Sequence, residues 1–282
     1  MDRDEYRQHS LESWNEMATV WDEHAEEIGA AVVAVGDWVI ERLAPQPGET
    51  VLDIAAGAGV LTAALSERVG PEGHLISTDF APAMVAANRR RGEERGLANV
   101  EYRQMDAERM DLEDASVDRA ACRFGYMLMA DPGAALAETR RVLRDGGPLA
   151  FAVWADPQRN PWVVVPAGVM MERGHMEPPD PEGPGMFSLA GREKIERALA
   201  SAGLEPVEFE DIEVNHHYPS RDEMWRRLST VMGPLAVVLK KLPDDERDAI
   251  RKLIEERAEP FRDGEAYDVP GAVHAVLARR SR

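Results

Sequence analysis

The sequence predicts an α/β fold built on a doubly wound, mainly parallel sheet. Short apolar runs alternate with helical periodicity between residues 51 and 154, and the first run passes directly into a turn of small residues. Acidic residues also follow the first three runs, at Asp53, Asp79 and Asp106. Strands separated by helices need crossover connections, which make neighbouring strands parallel and bury them on both faces.

The elements follow in order. Residues 11–43 carry Leu11, Trp14, Ala18, Trp21 and Ala25 at helical spacing, then a second apolar stripe, AAVVAVGDWVIERL, so two helices are expected. Pro45-Gln46-Pro47-Gly48 ends them, and Val51-Leu52-Asp53-Ile54-Ala55 reads as a strand buried on both faces. A helix near 60–69, a strand at His74–Thr78, a helix over 82–95 and strands at Val100–Gln104 and Asp118–Cys122 come next. A helix over 132–144 closes at Asp145-Gly146-Gly147-Pro148, before a strand at Leu149–Trp154. Between 156 and 190 the pattern dissolves into Pro, Gly and Met, with Pro178-Pro179-Asp180-Pro181 as a loop, the place for a lid. A helix over 191–203, a strand over 205–214, helices over 221–262 and a closing strand over 271–279 complete the chain, and the 221–262 helices read as an inserted cap.

Composition narrows the function. The chain has 282 residues, 33 basic against 52 acidic side chains and a net charge of −19, which opposes phosphate backbones and excludes nucleic acid from the expected partners. Arg89-Arg90-Arg91 lies among Glu93, Glu94 and Arg95 and reads as a solvated helix face. A single cysteine, Cys122, forms no intrachain disulfide and leaves no thiol pair for a metal site. The polar start MDRDEYRQHS and the lack of any long apolar run point to a cytoplasmic protein without a membrane span.

Chemistry concentrates in Val51-Leu52-Asp53-Ile54-Ala55-Ala56-Gly57-Ala58-Gly59, a strand entering a turn where small residues let a ligand approach the backbone. The third glycine of a dinucleotide fingerprint is replaced by Thr62, which counts against a pyrophosphate and against NAD. Asp79, 20 residues beyond Gly59, is placed to accept from both ribose hydroxyls. Asp106, beside Ala107, is placed to accept from an exocyclic adenine amine.

The ordered series VLDIAAGAG, ISTDFAPAM, MDAERM, DRAACRFGYMLMADP and RRVLRDGGPLAFAVW resembles the motif set of class I methyltransferases, most closely the ubiquinone/menaquinone C-methyltransferase type, over about residues 10–155. The resemblance implies a Rossmann-like, seven-stranded sheet with helical cap and lid insertions. It implies S-adenosyl-L-methionine as cofactor and S-adenosyl-L-homocysteine as product. It assigns Asp53, Ala55, Gly57 and Gly59 to the methionine and ribose end, Asp79 to the ribose, Phe80, Asp106 and Ala107 to the adenine, and Arg123 and Phe124 to the floor beneath the sulfonium. Trp21 falls in a helix that closes over the cofactor, where a tyrosine is frequent, and Ala55 and Asp145 stand where the family more often has Gly and Pro. The implied organisation is an N-terminal helical lid over 1–45, a cofactor core over 46–155, a lid and substrate loop over 156–190, and completion of the sheet with cap helices over 191–282.

The expected activity is methyl transfer to carbon or oxygen of a small, hydrophobic or aromatic acceptor, with no metal and with a homodimer as the candidate assembly. Tyr126, Met127, Trp154, Trp162 and Met186 are the candidate acceptor contacts, because Met and aromatic side chains suit an irregular apolar ligand. His24 and His216 are the candidate bases, ahead of His175 and His217, since histidine titrates near neutrality. His216-His217, before a turn at Tyr218-Pro219-Ser220, reads as exposed loop. An NAD-dependent oxidoreductase and a non-catalytic cofactor-binding protein on the same scaffold are the alternatives.

Overall fold

The computed structural model describes residues 2–180 and 183–281, so Pro181 of the expected proline loop lies outside the described residues. In chain order the elements are α1 (Arg3–Glu23), α2 (Ala25–Ala30), α3 (Val33–Leu43), β1 (Thr50–Asp53), α4 (Thr62–Val69), β2 (His74–Asp79), α5 (Pro82–Glu94), β3 (Val100–Gln104), β4 (Arg119–Arg123), α6 (Pro132–Val142) and β5 (Pro148–Trp154). There follow α7 (Pro161–Glu172), α8 (Arg192–Ala202), β6 (Leu204–Tyr218), α9 (Arg221–Thr230), α10 (Gly233–Lys240), α11 (Asp244–Ala258), β7 (Arg262–Asp263) and β8 (Ala266–Arg280).

Seven strands form the order β3-β2-β1-β4-β5-β8-β6, and the two-residue β7 pairs with β8 outside that path. The first five are parallel, and β8 runs antiparallel to both β5 and β6. Strand order reverses between β1 and β4, and ligands of open α/β sheets bind at such a point, outside the carboxyl ends of the strands. The register sets those ends side by side, with Asp53 opposite both Ser77 and Ala121, Asp79 opposite Gln104, and Arg123 opposite Ala152.

The apolar strands form the main core: Val51, Leu52, Ile54, Leu75, Phe151 and Val276 are fully buried. Each such side chain stabilises the fold by about 1.5–3 kcal/mol relative to exposure. A second apolar cluster joins α7, α9, α10 and α11 to the far halves of β6 and β8 through Met170, Tyr218, Leu228, Leu239, Ile254 and Tyr267. No described helix is long and apolar enough to cross a membrane.

Three departures from the sequence expectation have local causes. The N-terminal region holds three helices instead of two, because the chain leaves helical geometry at His24 and again at Val32. Residues 161–172, expected as loop, form α7, whose apolar residues surround the axis and include Pro166, so its sequence lacks one-sided periodicity. Strand β6 continues to Tyr218 and β8 starts at Ala266, extending their pairing well beyond the sheet shared with β5.

Candidate active site

The crevice floor is the turn after β1. Ala55, Gly57 and Gly59 all have positive φ, at 53°, 57° and 84°. Glycine adopts this conformation freely, whereas an alanine does so at a cost of about 1–2 kcal/mol. A Cβ on Gly59 would sit 2.0 Å from Asn88 Oδ1, so the turn and α5 can meet only through glycine. Gly125, after β4, is equally confined: its Cβ would lie 2.6 Å from that of Ala55 and 2.7 Å from Cys122 Sγ.

Asp53 is buried at the end of β1. Thr62 Oγ1 donates to its carboxylate at 3.0 Å, and Asn88 Nδ2 donates to Thr62 Oγ1 at 3.1 Å and to Ser77 Oγ at 2.8 Å. Burial pushes the Asp53 carboxyl up to about 7, with the Thr62 hydrogen bond and the Arg123 charge opposing and the Asp79 charge assisting. Thr62, which departs from a dinucleotide fingerprint, therefore holds the first acid in place. Burial likewise pushes the Cys122 thiol up to about 12, which leaves it an unreactive core residue.

Asp79 ends β2. Its oxygens accept from Gly57 N–H and from Ala81 N–H, each at 2.9 Å, so the turn and the start of α5 fix its orientation. Burial raises its pKa while these backbone bonds oppose the rise. Each oxygen retains a lone pair for a ligand hydroxyl. Phe80 follows Asp79, half-exposed, with its carbonyl accepting from Gln104 Nε2 at 3.3 Å.

Beyond β3, Asp106 accepts from Glu108 N–H at 2.9 Å and forms an ion pair with Arg7 of α1. Arg7 also bonds Glu108 at 2.7 Å. Helix α1 thus crosses the strand ends, and Tyr6 donates to the Leu128 carbonyl at 3.1 Å while Asn15 accepts from Ala83 N–H at 3.2 Å. Ala107 is partly buried against the main core. Trp21 packs in the α1–α5 contact with Trp14, Ala18, Ala81 and Met84, and its Nε1 is buried without a partner. Arg7 was not legible as a site residue, because only the docking of α1 brings it to Asp106.

Past β4, Phe124 has a φ of 63°, a strained conformation for an aromatic residue. Its ring begins an aromatic ladder. Phe124 stacks on Trp154 with centroids 4.6 Å apart and planes 11° from parallel, Trp154 lies 4.8 Å from Trp162, and Trp162 stacks on His216 at 4.2 Å. Asn160, fully buried, fixes the ladder: its Oδ1 accepts from Trp162 Nε1 at 3.1 Å and from Ala272 N–H at 3.0 Å, and its Nδ2 donates to the carbonyls of Ala155 and Ala272.

His216 is not the exposed loop residue expected. It lies within β6, its Nε2 is buried without a partner, and burial together with the Arg227 charge lowers its pKa to about 4. It is therefore neutral at physiological pH and suited to exchange a hydrogen bond. The other candidate histidines already face carboxylates: His24 meets Glu27 at 3.0 Å, His175 meets Glu246 at 2.7 Å, and His217 meets Asp268 at 2.9 Å.

The structure does not bring all the candidate acceptor contacts onto this surface. Tyr126 is fully buried with its hydroxyl 2.7 Å from Thr139 Oγ1, and Met127 is buried with its sulfur 3.5 Å from Trp154 N. Both side chains are directed into the core because a turn of 3-10 helix at Tyr126–Leu128 rotates them away from the crevice. Met186 is half-buried, in the segment that folds over Met127, where Gly185 N–H and Ser188 Oγ donate to the Met127 carbonyl.

Comparisons with known proteins bear on this geometry. Residues 51–147 match the family model described as a methyltransferase domain. A ubiquinone/menaquinone biosynthesis C-methyltransferase of Teredinibacter turnerae is 36% identical over 124 residues, 44% of this chain and 50% of that protein. The chain thus spans about half the length of the curated relatives it matches. A protein of Bacillus halodurans whose structure is described as a methyltransferase aligns with a TM-score of 0.60 at 22% identity, covering 88% of this chain and 99% of the other. A cyclase, SpnF, aligns at 0.58 and 16% identity, covering 95% and 97%. At these identities the structural likeness is one of fold.

Proposed function

We propose, from the premise that residues 51–147 are a class I, S-adenosylmethionine-dependent methyltransferase domain, that this chain transfers the sulfonium methyl to carbon or oxygen of a small, hydrophobic or aromatic molecule. The observation that carries the reading is the meeting of two surfaces at one sheet edge. Asp53, Asp79 and Asp106 end or follow three neighbouring strands, and an aromatic ladder begins at Phe124 on the next. In this reading Asp79 accepts from the ribose hydroxyls, Phe80, Asp106 and Ala107 border the adenine, and the Ala55–Gly59 turn lets the methionine half lie against backbone. Trp21 and α1 cover the adenosyl group.

The bound cofactor supplies an electrophilic methyl group. Transfer of that group would give the methylated acceptor, S-adenosylhomocysteine and the proton displaced from the acceptor. Such a displacement depends chiefly on holding donor and acceptor in line at about 3–3.5 Å. The half-buried Phe124 and Trp162, on either side of the enclosed Trp154, offer apolar contact for an aromatic ring, and His216 offers a neutral ring nitrogen for a hydroxyl on it. The relative named for ubiquinone and menaquinone methylation makes a quinol ring carbon the first acceptor to assay. The nicotinamide oxidoreductase alternative draws no support from the matched family.

Calorimetry with S-adenosylmethionine and S-adenosylhomocysteine tests the cofactor half: both bind the wild-type protein, and Asp79→Ala weakens both by at least tenfold. Equal binding by wild type and variant, or none by either, refutes it. Transfer of labelled methyl groups to a panel of quinols, phenols and amines tests the acceptor half. Turnover of amines alone refutes the proposed carbon or oxygen chemistry, and saturable cofactor binding without turnover of any acceptor favours the non-catalytic alternative.

A further inference from the structure

His274 lies within β8, buried between β5 and β6, and both of its ring nitrogens are engaged. Nδ1 is 2.7 Å from Asp211 Oδ1, and Nε2 is 2.8 Å from the carbonyl oxygen of Ala190. A carbonyl oxygen only accepts, and so does an ionised carboxylate. Burial works to raise the Asp211 carboxyl, but the bonds from Arg159 and His274 prevail and hold it below its ordinary value, so it is ionised. Acceptors at both nitrogens require a proton on each, which makes the ring an imidazolium in this geometry.

The charged groups around the ring are few. Arg159, in the turn before α7, pairs with the second oxygen of Asp211. Glu213, the next side chain of β6 on this face, is exposed, and Glu210, on the opposite face, accepts from Trp38 Nε1 of α3 at 2.6 Å. Val153 is the neighbour on β5, and Arg192 of α8 lies over the Phe209 ring and pairs with Glu196.

Ala190 ends the segment that folds over Met127. Gly185 N–H and Ser188 Oγ donate to the Met127 carbonyl, Ala190 N–H donates to the Phe187 carbonyl at 3.1 Å, and Met186 and Phe187 pack on the main core between these anchors. Met127 in turn lies against Trp154 of the aromatic ladder. The segment is thus held at one end beside the ladder and at the other by His274. We propose that His274 is a positioning residue: its imidazolium, fixed by Asp211, holds residues 185–190 over the acceptor side of the crevice, and loss of one ring proton releases them. A neutral ring has one proton to give, and a hydrogen bond to a carboxylate is roughly twice as strong as one to a carbonyl. The proton therefore stays on Nδ1, and the lone pair of Nε2 faces the Ala190 carbonyl, which breaks the tether. The hold is present at low pH and is lost as pH rises through the titration of the ring. That the segment serves an acceptor rests on the methyltransferase reading.

Long-range nitrogen–proton NMR of the ligand-free protein reports the proton on each ring nitrogen, with the His274 signals assigned by their loss in His274→Gln. Wild type shows both nitrogens protonated at low pH and only Nδ1 protonated after the ring titrates. The carbon-13 methyl of Met186, assigned through Met186→Leu, shifts with the same midpoint. Asp211→Asn tests the cause. Its amide can donate to Nδ1, so a neutral ring keeps its proton on Nε2 and its bond to Ala190, and the Met186 methyl no longer responds to pH. Whichever acceptor of the quinol, phenol and amine panel is turned over supplies the second readout. Its KM in wild type rises about fivefold across the same titration, the weight of one hydrogen bond, with kcat little changed, and stays flat in Asp211→Asn.

A ring with a single proton at every pH, a Met186 methyl that ignores the ring's titration, or one that still follows it in Asp211→Asn overturns the tether. A Met186 shift with an unchanged KM overturns the role in holding the acceptor. Failure to bind cofactor or to turn over any acceptor counts against the methyltransferase reading instead, and the ligand-free titration still decides the tether.

Discussion

Replacing Asp53 by Asn removes one titration while preserving the shape of the residue and an oxygen to accept from Thr62. The Asp53 carboxyl is raised from 3.8 to about 7, chiefly by burial. Between those two values the native state holds a proton that the unfolded chain releases, so stability falls as pH rises, by about 1.4 kcal/mol per pH unit. The contribution is fully present below the unfolded value and is lost as pH rises through about 7, a total on the order of 4 kcal/mol. From about pH 5.5 to about pH 8.5 only the part below about 7 operates, which makes roughly 2 kcal/mol and roughly 4–8 °C in melting temperature. Asp79 is raised in the same direction and is common to both proteins, so the difference between wild type and Asp53→Asn isolates Asp53. Denaturant melts of the ligand-free proteins at the two pH values provide the measurement. Wild type loses about 2 kcal/mol more than Asp53→Asn on going to the higher pH. Equal losses would show that Asp53 ionises normally and that its burial does not govern this site.

Gly59→Ala combines a left-handed backbone with a Cβ driven into Asn88, whereas Gly57→Ala meets nothing within 4 Å at a similarly positive φ. The second therefore costs about 1–2 kcal/mol, the backbone term alone, and the first costs distinctly more; chemical denaturation that ranks them equal contradicts the steric argument. Asn160→Ala strips partners from Trp162 Nε1, Ala272 N–H and two buried carbonyls, at about 1–3 kcal/mol for each group left unsatisfied. Its melting temperature drops and the tryptophan emission shifts as Trp162 leaves the ladder; an unchanged spectrum would mean that Asn160 does not hold that ring.

The parts of the fold that could be read in the sequence are those governed by neighbours in the chain. Val51–Asp53 is apolar enough to be a buried strand wherever it is placed, and the small residues after it force a turn. Because strand, turn and helix lengths are all short, the acids at Asp53, Asp79 and Asp106 reach one edge by spacing alone. The functional surface beyond β4 depends on distant register. Trp162 reaches His216 because β6 and β8 stay paired from Leu204 to Tyr218 and because Asn160 binds Ala272, 112 residues away. No local pattern announces either contact, and the end of β6 reads as loop because Tyr218-Pro219-Ser220 follows it directly. Tyr126 and Met127 show the converse error: they follow β4 as acceptor contacts should, but one turn of 3-10 helix rotates them into the core.

Hydrogen-bond satisfaction separates the residues of the crevice into two groups. The acids are engaged: Asp53 by Thr62, Asp79 by Gly57 and Ala81, and Asp106 by Glu108 and Arg7. Those bonds fix their orientation, and a carboxylate oxygen with one donor still has a lone pair for a ligand. Trp21 Nε1 and His216 Nε2 instead are buried without a hydrogen-bond partner. Native proteins rarely leave buried polar groups unmatched, since each costs about 1–3 kcal/mol. These two come from elements bordering the crevice or its aromatic ladder, the covering helix α1 and β6. A polar ligand group that reached either nitrogen would therefore recover a cost the unliganded protein bears.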